Sequence, residues 1–166
     1  MNAIEDVEVQ PALLEAALIQ FGDGTRHTVR AKALRLFAVW CAQRAQRARA
    51  PQDTDDLIRV RFIAIETAAR HAAGLVDNDK LRAVYSKAVS AVLDAPGAVC
   101  QSMAEAAAGA AVHDATTAAI AASEATAATM AAFHRDDVAA LTAYATEREA
   151  QVVEFLRMVR EFQSTP

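Results

Sequence analysis

"AEAAAGAAVHDATTAAIAASEATAATMAA", residues 104–132, is built almost wholly of alanine, small hydroxyl residues and three acids. Such a run can be a membrane span, a low-complexity disordered tract, or helix buried against close neighbours. A span needs roughly 20 strongly apolar residues, whereas Glu105, Asp114 and Glu124 interrupt this one. Disorder is disfavoured because alanine has the best intrinsic helix propensity and periodic helical patterns flank the run. Small side chains on several faces let neighbouring backbones approach closely. The stretch therefore reads as the central helix pair of a bundle, with a break near His113-Asp114.

The flanking sequence repeats the helical signal. Apolar residues recur three and four apart as Leu13, Leu14, Ala17, Leu18, then Leu34, Phe37, Cys41, Ala45, Ala48. Further stripes are Ile58, Phe62, Ile65, Ala69, Ala72, then Leu81, Tyr85, Ala88, Val92, and finally Val138, Leu141, Ala145, Val152, Phe155, Val159. Pro11 suits a first helical turn, and the glycines of Phe21-Gly22-Asp23-Gly24 suit a turn with positive φ. Asp53-Thr54-Asp55-Asp56, Asp77 or Asn78 and Asp114 are placed to cap helix N-termini, and Gly74 a C-terminus, and a last long helix follows Asp136. No strand-like alternation interrupts this pattern. The expected fold is all-α: a single compact bundle of six to seven helices over residues 1–166, with residues 1–10 a flexible N-terminus.

Composition narrows the function classes. The net charge of −4 is unevenly spread: residues 26–70 carry ten Lys/Arg and four Asp/Glu, whereas residues 1–25 and 71–166 each total −5. Two isolated cysteines, Cys41 and Cys100, form neither a metal cluster nor a disulfide framework and read as buried reduced thiols. The acidic start, MNAIEDVEVQ, lacks the basic and apolar regions of a secretion signal, which points to the cytoplasm.

Two constellations compete for chemistry. Arg44, Arg47, Arg49, Arg59 and Arg61 straddle Pro51 and can form one basic patch. Asp53, Asp55 and Asp56 lie within it and would repel phosphate, so an acidic protein partner fits Arg44, Arg47, Arg59 and Arg61 better than nucleic acid. His71, His113-Asp114 and Asp137 follow the H…HD…D order in which HD-type phosphohydrolases hold a divalent metal. Against that alternative, Ala115-Thr116-Thr117 lacks the expected continuation and the gap to Asp137 is short. There is no Glu-x-x-His pair, no phosphate-cradling glycine loop and no local nucleophile signature. In the last helix the apolar stripe skips a turn at "TEREAQ", which reads as an exposed section with Glu147 to Gln151 pairing along the helix in preference to a polar interaction site.

Across residues 31–160 the pattern resembles the alanine-rich helical immunity proteins of bacterial polymorphic-toxin systems. The matching pieces are "ALRLFAVWCAQRA", "AIETAARHAAG", "DKLRAVYSKAVSAV", "AEAAAGAAVHDATTAAIAASEA" and "EREAQVVEFLRMV". The chain departs from the family at His71 and at Glu149-Ala150, where members tend to carry aromatics. The resemblance implies a non-catalytic cytosolic protein that neutralises a partner toxin, with no cofactor, no catalytic residues to carry over, and homo-oligomers open.

Overall fold

The computed structural model describes residues 10–23, 27–48, 50 and 52–164, excepting the side chains of residues 27 and 28. The segment expected to be flexible, residues 1–10, lies outside the described residues but for Gln10, as do Gly24, Arg49 and Pro51. Among the described residues there is no strand. A 3-10 turn at Pro11–Leu13 leads into α1 (Leu14–Gly22), α2 (His27–Gln46), α3 (Asp55–Ala72), α4 (Asn78–Asp94), α5 (Gly97–Ala110), α6 (Ala115–Ala132) and α7 (Asp137–Ser164). This is an all-α bundle, and buried residues from all seven helices join one core. No helix of the described residues is long and apolar enough to cross a membrane.

The helix boundaries follow local chemistry. Thr54, Asp77, Asp114 and Asp136 each accept a hydrogen bond from a first-turn amide, those of Leu57, Lys80, Thr117 and Ala139. Past the end of α3, Gly74 adopts φ +72° and donates to the His71 carbonyl, while Leu75 donates to Arg70. This is the paired hydrogen bonding that a left-handed glycine permits at a helix end. Gly22, by contrast, stays inside α1, where an added Cβ would strike Thr116 Oγ1. It is there for close approach, not for a positive-φ turn.

The alanine run forms α5 and α6, which pack on each other at the centre. Helix α5 also meets α2, α3 and α4, and α6 meets α1, α2 and α7. Nearly every face of α5 is covered; Ala104, Ala106, Ala107 and Ala110 are fully buried. The two backbones come so near that a Cβ on Gly109 would lie 2.8 Å from the Ala122 amide nitrogen and 3.0 Å from the Ala121 carbonyl carbon. Larger side chains close the end of the bundle, where Phe155 packs edge-on against Phe21 and Phe37.

Three expected stripes hold only in part: Ile65 on α3, Leu81 and Ala88 on α4, and Val152, Phe155 and Val159 on α7 are buried, whereas other members of each are not. On α3, Ile58 is exposed and Phe62 is 65% exposed, while Arg61, Ala64, Ile65, Thr67 and Ala68 face inward. Tyr85 on α4 is also exposed, and Val84 takes its place inside. Val138 and Leu141 on α7 are 71% and 70% exposed, because the first turns of α7 lie along the bundle's edge and its core face begins at Glu147.

Candidate functional site

Four arginines were expected to form one exposed patch, and the fold separates them. Arg61 is 1% exposed and is paired through both terminal nitrogens with the Asp53 carboxylate. Its Nε donates to Gln46 Oε1 at 2.6 Å, and Gln46 in turn donates to the Met103 carbonyl. Arg61 therefore ties α2, α3 and α5 together and cannot face a partner. Arg59 lies on the open side of α3 and pairs with Asp56 at 3.4 Å.

Arg44 and Arg47 do share a surface. They line a groove of about 670 Å³ with Met130, Phe133, His134 and Thr146, between the C-terminal ends of α2 and α6 and the first turns of α7. Arg47 and Phe133 are exposed there. Arg44 is held by its partners: its Nε and Nη2 donate to Glu147 at 2.9 and 2.7 Å, and its guanidinium lies 4.9 Å from the Trp40 ring centroid. The hydrogen bonds and charge of Glu147 raise the Arg44 pKa above its ordinary value.

Beneath the groove lies a polar seam that corrects the reading of "TEREAQ" as exposed. Glu147, Arg148 and Gln151 are buried against α2 and α6, and Gln151 is completely enclosed. Gln151 Nε2 donates to the Ser123 carbonyl at 2.9 Å, and Arg148 Nη1 donates to Gln151 Oε1 at 3.1 Å and Ser123 Oγ at 3.2 Å. Arg148 also pairs with Glu124 at 3.7 Å, and the Tyr144 hydroxyl donates to the same carboxylate. The only trace of this in the sequence is the skipped apolar turn. Partial burial and the bond to Glu124 push the Tyr144 pKa up to about 12. None of this resembles a nucleophile poised for catalysis. Ser123 Oγ donates to the Ile120 carbonyl, and burial holds the Cys41 thiol well above its ordinary pKa. Cys41 and Cys100 are both free and buried.

Of the metal-ligand candidates, His71, His113 and Asp114 line one cleft of about 750 Å³, bounded by α2, the end of α3 and the α5–α6 corner. Asp137 opens α7 and is not part of it. The Asp114 carboxylate accepts from the Thr117 amide and hydroxyl, and His71 Nε2 shares a 2.8 Å hydrogen bond with Asn78. Among the described residues no three His, Cys, Asp or Glu side chains converge as metal ligands. The H…HD…D order thus places a helix cap and two rim histidines in one cleft without assembling a metal centre.

One residue of this cleft had no signal in the sequence. Arg35 is 2% exposed and donates to the Ala110 carbonyl at 2.9 Å, to the Val112 carbonyl, and to the His113 carbonyl at 2.6 Å. It caps the end of α5 with a positive charge where the helix dipole is negative. Compared with protein-family models, curated proteins and solved structures, the chain matches none of them.

Proposed function

We propose that the chain is a non-catalytic helical protein-interaction module, an immunity protein that binds a cognate toxin through the groove between α2, α6 and α7. One observation carries this reading. Arg47 stands exposed beside Arg44 over an apolar floor of Met130 and Phe133, with His134 on the rim. Arginine and aromatic side chains are enriched at protein interfaces, and guanidinium groups bind carboxylates in bidentate fashion. An acidic protein segment bearing an apolar anchor matches that surface. The internally bonded polar seam beneath it holds the groove in shape and offers no activated nucleophile.

The test pairs the purified chain with the toxin domain encoded beside its gene, by titration calorimetry. Saturable binding is expected, weakened about ten-fold or more by Arg47→Glu or Phe133→Ala and unaffected by Arg59→Glu. A chain that does not bind that domain, or that binds DNA or RNA tightly at moderate salt, refutes the reading.

A further inference from the structure

The cleft at the α5–α6 corner lies among different residues from the protein-binding groove and serves none of the roles assigned so far. Its volume of about 750 Å³ falls in the range of about 300–1,000 Å³ usual for small-molecule sites. Val29, Leu34 and Ala72 give it apolar walls. Its charged groups do not balance. Arg35 is buried in the wall, and no carboxylate among the described residues reaches ion-pair distance of it. Three of its five N–H donors bond neutral backbone carbonyls, which offset only part of a full charge. Lys32 lines the same cleft, is exposed, and pairs with no acid among the described residues. Asp114 is the acid of the cleft, and its carboxylate is engaged with Thr117.

From this geometry we infer that the cleft binds a small amphipathic carboxylate, its apolar body against Val29, Leu34 and Ala72 and its head beside Lys32. Asp114 offsets part of the positive charge, but Lys32 and Arg35 together outnumber it, which favours an anion entering the cleft. The apolar walls select against small, strongly hydrated dianions, and Asp114 at the rim favours a single negative charge over two. Burial lowers the Arg35 pKa, and the charge of Asp114 opposes that shift only in part. A cationic ligand or a metal ion would meet Lys32 and Arg35 as repulsion.

Octanoate is the probe, followed by calorimetry and by amide and arginine side-chain NMR shifts of the full chain. One saturable site is expected, with shifts centred on Lys32, Arg35 and His113. Affinity should fall at least about ten-fold in Lys32→Glu, a surface substitution whose fold is checked by circular dichroism. Acetate, lacking the apolar body, and octanol, lacking the charge, should each bind at least about ten-fold more weakly. The inference is overturned by any of three results: no saturable octanoate binding up to about 1 mM, octanol binding as well as octanoate, or unchanged affinity in Lys32→Glu.

Discussion

Helix α6 is buried on two sides by opposite means. Against α5 it meets alanine and glycine, and the two backbones nearly touch. Against α7 it meets Glu147, Arg148 and Gln151, whose polar groups are satisfied by Ser123, Glu124 and Arg44. The first seam is specified by the lack of volume, the second by matched donors and acceptors. They should therefore fail differently: the alanine seam to any added methyl group, the polar seam to loss of a partner and not to a modest change of size.

The sharpest break is at Gly109. A valine there drives its Cβ into the Ala122 and Ala121 backbone, which cannot rotate away as a side chain could. A loss of about 3 kcal/mol is expected, with Ala122→Leu in the same range, read from denaturant unfolding. Stability unchanged in both variants would mean that α5 and α6 are not in close contact.

Next comes Gln151→Leu, nearly equal in volume, which takes an acceptor from the buried Arg148 Nη1 and a second hydrogen bond from the Ser123 carbonyl. Leaving buried polar groups unsatisfied costs about 1–3 kcal/mol. A double-mutant cycle over Arg44→Ala and Glu147→Ala should show coupling of about 0.5–3 kcal/mol, and additive losses would detach the pair from the seam.

A smaller effect separates the two halves of α7. Val138→Ala and Leu141→Ala should change stability by less than about 0.5 kcal/mol because both side chains are largely in solvent. Losses above about 2 kcal/mol would restore the apolar stripe read along the whole helix.

The smallest effect is spectroscopic. The chain has two tyrosines, and the one at position 144 should ionise near pH 12 when followed by ultraviolet absorbance. Its folded pKa lies above the unfolded value, so the folded state binds more protons between the two. The tyrosine's contribution to stability is complete below the unfolded pKa, about 10, and is lost as pH rises towards 12. Tyr144→Phe should remove the late titration and flatten that loss.

Caps and turns were legible in the sequence because they are made within a few residues. Thr54, Asp77, Asp114 and Gly74 each act on amides or carbonyls nearby. The central position of the alanine run was legible too, since its weak apolarity and strong helix propensity leave few alternatives. Core faces were harder to place. On α3 the inward face carries Arg61, Ala64, Ile65 and Ala68, while the more hydrophobic Ile58 and Phe62 stay outside. Hydrophobic periodicity weights the large residues and so misplaces the start of α3. Buried charge was least legible. Arg61, Arg35 and Glu147 look like surface residues until partners from other helices are supplied, and for Arg35 those partners lie 75 to 78 residues further along.

That separation governs the order in which the molecule can form. As the chain leaves the ribosome, α2 emerges long before the carbonyls that receive its Arg35 side chain. Until the α5–α6 corner and α6 arrive, Arg35 lacks the carbonyls that bond it and both α1 and α2 lack the helix on which they pack. The first four helices therefore cannot settle into a finished subdomain during synthesis. Completion waits for the α5–α6 corner, so a chain truncated before it should remain a loose helical intermediate, and the whole protein should fold in one late, cooperative step.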